Sequence, residues 1–313
     1  ERQWMQISGE GLDDKGLRFE KTLARQAMKD WIYPLNLIDF ETSRSALPFH
    51  KGARPYDMVA FQFSHHVLHE DGTLVHAHEF LQTAPHQHPN LDFLRALQKA
   101  LSSNEGSVLI WSSYENTVLN CLLEQIENGS HLPPDADALR VFVHSLTQKK
   151  EGSVLLREGQ RKMIDLCELS KKVFFHASTH GSNSIKKVLP AMLNASELLK
   201  QKYSQPIYGG GRPNSQNYMQ PMVWWQADAS GKAVDPYQLL PKVFEDLEVS
   251  EVEEDETALN QGGAAIIAYA RLQAEDISPE VRQAWERALL KYCELDTLAM
   301  AMVVEGWKDW TQP

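Results

Sequence analysis

The stretch from Asp57 to Leu81, DMVAFQFSHHVLHEDGTLVHAHEFL, limits the fold more than any other part of the chain. It holds two runs with strand-like alternation joined by EDGT. Asp71-Gly72 supplies the backbone freedom that a tight reversal needs, so the runs predict an antiparallel hairpin. Upstream, LNLIDFETSRS at 35–45 follows Pro34 and predicts a first strand, with the Gly- and Pro-containing PFHKGARPY as the loop between. The sheet therefore opens with three strands, the last two antiparallel.

From about residue 90 helix and strand alternate. NLDFLRALQKAL has helical spacing with Asn90 as cap, GSVLIW is a short buried strand, and SYENTVLNCLLEQI is an amphipathic helix behind it. A polar helix around 135–148 leads to RKMIDL, a fifth strand, and SNSIKKVLPAML predicts a helix capped by Ser182 or Ser184. Residues 201–262 are rich in Gly, Pro and Trp and contain the acidic run FEDLEVSEVEEDE. They read as an insertion or lid, partly mobile, with the acids as a solvated face. Two helices close the chain, GGAAIIAYARLQ and SPEVRQAWERALLKYCELDTLAMAMVVEGW. The pattern is that of an α/β chain with a mixed sheet and helices on both faces, which several folds share. Residues 1–32 read as a charged helical lead-in and 33–313 as one domain. The 313 residues, 42% of them hydrophobic, suffice for a sizeable core. The chain opens at Glu1 rather than Met, which leaves open that it is a piece of something longer.

Strand periodicity is two, so Asp39 and Glu41 project from the same face of the first strand. Two adjacent anions repel one another, and either water at a strand end or a shared cation must compensate. In the last helix, YCELDTLAM places Tyr292 and Asp296 four apart, one turn from each other on one face. Taken singly, Tyr292 is a half-buried aromatic and Asp296 a solvated helix charge. Leu295, Leu298, Ala299 and Met302 around Asp296 make an outward aspartate less comfortable.

Together, DFET on a first strand, an acid opening the helix after the fourth strand, and Y-x-x-x-D on a late helix resemble the DnaQ-like exonuclease superfamily. The likeness is to its Y-x-x-x-D subtype, over most of residues 33–308 with the insertion excepted. More closely, IDFET, RPYDMVAFQFSHHVL, SIKKVLPA, GGAA and YCELDTLAM look like a bacterial family within it, domain of unknown function 2779. The resemblance implies an RNase H-like mixed five-stranded sheet flanked by helices, with an insertion near 201–262. It also implies a 3′-5′ exonuclease that hydrolyses phosphodiester bonds at single-stranded DNA or RNA ends with two divalent ions, Mg²⁺ or Mn²⁺. Carried onto this chain, it makes Asp39 a ligand of both ions, Glu41 a ligand of one, and Asp296 the ligand from the helix. Tyr292 would orient the attacking water, since a phenol with a pKa near ~10 is a poor base at neutral pH.

The second motif departs from the superfamily pattern, which has Asn four residues before an Asp that follows an aromatic. Here WSSYEN offers Trp111, Tyr114 and Glu115. Glutamate keeps the charge and adds a methylene, so Glu115 is expected as a metal ligand. The other account is an ordinary acid in a helix's first turn. Asp165 is the second candidate for the fourth carboxylate and is expected beside the ligands, with N-capping as the simpler role. Thr42, Tyr114, Lys186 and Lys187 are the candidate substrate-binding residues. The altered motif also motivates a rival, a catalytically impaired nucleic-acid-binding module. The insertion motivates another, a nuclease restricted to short oligonucleotides.

The histidines of SHHVLHEDGTLVHAHEFLQTAPHQHP suggest zinc, but His65 and His66 oppose one another and neither cysteine nor a helical H-x-x-x-H accompanies them. They are expected to be solvated or half-buried. Gly209–Gly211 lacks the context of a phosphate loop. Basic residues at 148–162, Lys171-Lys172 and Lys186-Lys187, with Trp224 or Trp225 for stacking, offer a nucleic-acid track, against which stand surface helices and core tryptophans. A net charge of −11 argues against indiscriminate coating of nucleic acid. Cys121, Cys167 and Cys293 form no C-x-x-C pair, no membrane span or signal peptide is visible, and a cytoplasmic setting is expected.

Overall fold

The reversal at Asp71-Gly72 is built as its residues dictate: Gly72 has φ of 87°, and Asp71 Oδ1 accepts the Thr73 N–H at 2.8 Å. A computed structural model describes residues 2–129, 132–240, 263–274 and 276–312. The acidic run at 244–256 lies outside the described residues. In chain order the elements begin with α1 (Arg2–Ser8), β1 (Leu17–Phe19), α2 (Lys21–Met28), β2 (Leu35–Ser43), β3 (Val59–Leu68), β4 (Leu74–Leu81), α3 (Asn90–Leu101), β5 (Val108–Ile110) and α4 (Tyr114–Glu127). There follow α5 (Ala136–Leu146), β6 (Gln148–Glu151), β7 (Val154–Glu158), β8 (Ile164–Asp165), α6 (Leu166–Val173), β9 (Phe174–His176), α7 (Ile185–Ala195) and α8 (Glu197–Tyr203). The short β10 (Tyr208–Gly209) and β11 (Pro221–Met222) precede α9 (Gly263–Ala274) and α10 (Pro279–Thr311).

Five strands form a mixed sheet in the order β4-β3-β2-β5-β8. β2, β3 and β4 pair antiparallel, while β5 and β8 join in parallel. Helices flank both faces, an arrangement consistent with an RNase H-like fold. Along β2 the pleat sorts side chains strictly. Leu35 and Leu37 enter a core with α7, α8 and α10, whereas Ile38 and Phe40 enter another with α3, α4 and α5. In that second core the Phe93 ring meets Phe40 edge-on at 5.0 Å and Phe63 at 5.4 Å.

α10 is the spine of the first core. Ser278 Oγ accepts the Val281 N–H, with Pro279 behind it, a standard helix start. From Tyr292 to Trp307 every residue is buried. Such a helix can survive only enclosed by protein. Gly306 lets α7 and α8 close on it, since a Cβ there would stand 2.5 Å from Met192 Cε and 3.2 Å from Leu199 Cδ1. Among the described residues no helix is long and apolar enough to cross a membrane.

Several expectations are corrected. The lead-in is not wholly helical: β1 pairs antiparallel with β9, because its alternating Leu17 and Phe19 pack on the α10 core. The basic stretch at 148–162 is a β-hairpin, β6–β7, rather than surface helix. The described part of the proposed lid is anchored in the core: Tyr203, Tyr208, Tyr218 and Trp224 are buried, too much aromatic surface to leave in water, while 226–232 are exposed. His65, His66 and His76 are buried rather than solvated or half-buried.

Phe93→Ala removes a fully buried ring shared by three other phenylalanines. It should lower stability by about 3–5 kcal/mol, read as a fall in the urea midpoint at unchanged slope.

Candidate metal centre

The alternation that sends Leu35 and Leu37 toward α10 continues through Asp39 and Glu41, so both carboxylates face that helix. α10 crosses close enough for Cys293 Sγ to lie 3.6 Å from both the backbone oxygen and Oδ2 of Asp39. Asp296, three residues on, turns to the same place. One carboxylate oxygen from each of Asp39, Glu41 and Asp296 falls within a mutual 4.8 Å. Glu41 and Asp296 are buried, while Asp39 keeps an intermediate accessibility.

Glu115 opens α4 and is buried on the same side of the structure, where its charge is felt by Asp39 and Glu41. Its Oε2 meets no hydrogen-bond partner among the described residues. A helix-start acid that merely served the dipole would face water. Burial, despite a bond from its own N–H and with Asp165 and Asp296 adding repulsion, pushes its carboxyl up to about 8. Burial likewise lifts Asp296 to about 6, against the pull of Lys186 and a bond from Tyr237. Asp39 and Glu41 are raised well above the carboxylate range by burial and then by Asp296. Lys186 offsets two of these four acids, Glu41 and Asp296, and a desolvated anionic cluster of this kind favours protons or cations.

Lys186, at the start of α7, bonds the Tyr292 hydroxyl and lies 4.7 Å from that ring's centroid and 5.4 Å from that of Tyr237. Burial, then Asp296, holds the Tyr292 phenol well above its ordinary value, so at neutral pH it is protonated. At the rim Thr42 Oγ1 and Tyr114 OH share a hydrogen bond of 2.7 Å. Asp165 caps α6 by accepting the Glu168 N–H at 3.0 Å and touches the cluster only through its charge on Glu115. Lys187 is not brought to the centre: it is exposed, and successive helical residues point about 100° apart. Trp111 and Trp224 are core residues, which removes Trp224 as a stacking platform, and Trp225 Nε1 is engaged by Leu193 O at 3.1 Å.

Two residues of the centre escaped the sequence reading. Tyr237 donates its hydroxyl to Asp296 Oδ1, and the Cys293 thiol sits against Asp39. Neither has a local signal, because Tyr237 arrives from the 201–240 segment by tertiary folding alone.

A family model described as Domain of unknown function (DUF2779) matches residues 36–184, slightly less than half of the chain. The match takes in Asp39, Glu41, Thr42, Tyr114, Glu115 and Asp165 and ends before Lys186, Tyr292 and Asp296. No curated protein and no solved structure matches the chain.

Two outcomes follow from this geometry. In metal-free protein the folded pKa of Glu115, about 8, lies above its unfolded value. The folded state therefore holds more protons, and stability should fall as pH rises from ~7 to about 8. Urea midpoints should record the fall, and Glu115→Gln should lessen it, with Asp39 and Glu41, raised in the same way, supplying the rest. Tyr237→Phe removes the donor that holds Asp296, and Mn²⁺ affinity measured by calorimetry should drop by about tenfold.

Proposed function

We propose that this chain is a divalent-metal-dependent 3′-5′ exonuclease acting on single-stranded DNA or RNA ends, akin to the DnaQ-like enzymes of the Y-x-x-x-D subtype. The observation that supports it most is the meeting of Asp39, Glu41 and Asp296 oxygens within 4.8 Å, with Tyr292 one turn before Asp296. The donor set is all oxygen and carboxylate-dominated, which suits Mg²⁺ or Mn²⁺. Asp39, Glu41 and Asp296, with Glu115 beside them, would hold a pair of such ions. Bound there, the ions supply an activated water and charge stabilisation for the leaving oxygen of an in-line phosphodiester displacement.

The protein's own groups divide the remaining work. Tyr292, protonated and bonded by Lys186, orients water and does not abstract its proton. Lys186 offsets the charge of the scissile phosphate, as it already does that of Glu41 and Asp296. The Thr42–Tyr114 pair at the rim presents hydroxyls to a terminal nucleotide. Hydrolysis would release nucleoside monophosphates one at a time. Glu115, buried with an unbonded oxygen, weighs for an active centre over an impaired binding module. The three cysteines are free, which supports a reducing, cytoplasmic setting.

The test is a gel assay of 5′-end-labelled single strands with Mg²⁺, Mn²⁺ or a chelator. A ladder of shortened products should form, vanish with chelator, and slow by on the order of 100-fold or more in Asp39→Asn. Uncut strands in every lane, or a ladder unchanged in Asp39→Asn, would contradict the proposal.

A further inference from the structure

The histidines of the β3–β4 hairpin are absorbed by nothing above, yet three are buried. A slip in register between His65 and His66 sets His65 opposite His78 and His66 opposite His76. His65 turns to the far face, where its Nε2 meets Asn36 Oδ1 at 3.0 Å. His66 and His76 face α10. There a second group of potential ligand atoms gathers, from His76, Glu79 and Glu294, all within 4.8 Å of one another.

The hydrogen-bond chain through this face fixes where the protons are. His66 Nε2 lies 3.2 Å from the backbone oxygen of Asn214. A carbonyl can only accept, so Nε2 carries the hydrogen. In the neutral ring Nδ1 is then an acceptor. That acceptor takes the Thr297 hydroxyl proton at 2.7 Å. The rival acceptor for Thr297, the Glu294 carbonyl at 3.1 Å, would leave a buried ring nitrogen without a bond. Thr297 Oγ1 then accepts from Ser64 at 2.7 Å, and Ser64 Oγ accepts from His76 Nε2 at 3.0 Å. In neutral His76 the proton is thus on Nε2, and Nδ1 presents a lone pair to the carboxylates.

His76 Nδ1 stands 3.1 Å from Glu294 Oε2, both side chains fully buried. The distance suits an ion pair, and against burial a charged His76 there would hold the Glu294 carboxyl down, yet no partner among the described residues meets Nδ1 with well-aligned bonding geometry. Two donors each about 2.1 Å from one shared ion stand roughly 3–3.4 Å apart without pointing at each other. Both carboxylates are held in place from outside. The Asn217 amide nitrogen bridges Glu79 Oε2 at 2.6 Å and Glu294 Oε2 at 2.8 Å, and Tyr208 OH donates to Glu294 Oε1 at 2.6 Å. Ligands that are themselves oriented by hydrogen bonds are the usual surroundings of a bound metal.

We propose that His76, Glu79 and Glu294 form a second divalent-metal site, chemically unlike the all-carboxylate centre, that takes a Zn²⁺-type ion. An imidazole nitrogen with two carboxylates selects such ions over Mg²⁺. The ion joins β4, α10 and the 208–218 segment, so its role is structural. The site is independent of the nuclease reading and stands or falls without it.

The experiment uses the full chain carrying Asp39→Asn, which weakens the first centre, stripped with chelator and gel-filtered with Zn²⁺ or Mg²⁺. About one Zn²⁺ per chain should be retained, with no Mg²⁺, and the Tm should rise by several degrees with Zn²⁺. Adding Glu79→Gln, a partly buried position, should weaken Zn²⁺ binding at least about tenfold. X-ray absorption of the Zn²⁺-loaded Asp39→Asn protein, which leaves the His76 site intact, should show an imidazole in the first coordination sphere. Oxygen-only coordination, or Zn²⁺ retention unaffected by Glu79→Gln, or no retention at all, would overturn the site and leave His76 and Glu294 as a buried ion pair.

Discussion

Like charges forced together in a dry interior are the constraint around which this molecule is organised. The buried stretch of α10 carries three acids, Glu294, Asp296 and Glu305. Glu305 is met by Lys202 at 2.8 Å and the Tyr203 hydroxyl at 3.0 Å, and Glu294 by the Tyr208 hydroxyl at 2.6 Å, the Asn217 amide at 2.8 Å and His76 at 3.1 Å. Asp296 instead meets the carboxylates of Asp39 and Glu41 across the sheet, held by the Tyr237 hydroxyl. Burying a carboxylate without compensation costs several kcal/mol, far more than a natural domain holds in reserve for one interaction. Protons or a cation placed among such groups offset that cost.

The fold makes that juxtaposition unavoidable. β2 alternates strictly, so the face that buries Leu35 and Leu37 also presents Asp39 and Glu41. α10 lies across this face and is held by Gly306 against α7 and α8. Asp296 then sits over the strand pair, and Glu294, about 200° away around the helix, sits over the β3–β4 hairpin. The 201–240 segment completes both neighbourhoods, with Tyr237 on Asp296 and Tyr208 on Glu294. Two acidic groups thus share one helix.

What was legible in the sequence is what local periodicity encodes. The Asp71-Gly72 hairpin, the Asp39/Glu41 face and the Tyr292/Asp296 turn follow from repeats of two and 3.6 and from turn chemistry. What stayed hidden depends on long-range packing. The composition of residues 201–240 suggested a lid, yet its aromatics are core, because burial is decided by the partners that a segment finds and not by its glycine content. Lys186 and Lys187 are indistinguishable in sequence, and only the orientation of α7 separates them. The hairpin histidines carry no zinc signal in the sequence, since neither cysteines nor a helical pair accompany them. Their carboxylate companions, Glu79 and Glu294, stand over 200 residues apart.

The central claim is that β2 and α10 bring their carboxylates onto a shared pair of divalent cations. Anomalous diffraction from crystals grown with Mn²⁺ tests it most directly. The account predicts two Mn²⁺ peaks, ~3.5–4 Å apart, contacting Asp39, Glu41 and Asp296. Crystals saturated with Mn²⁺ that show no peak at these carboxylates would contradict it.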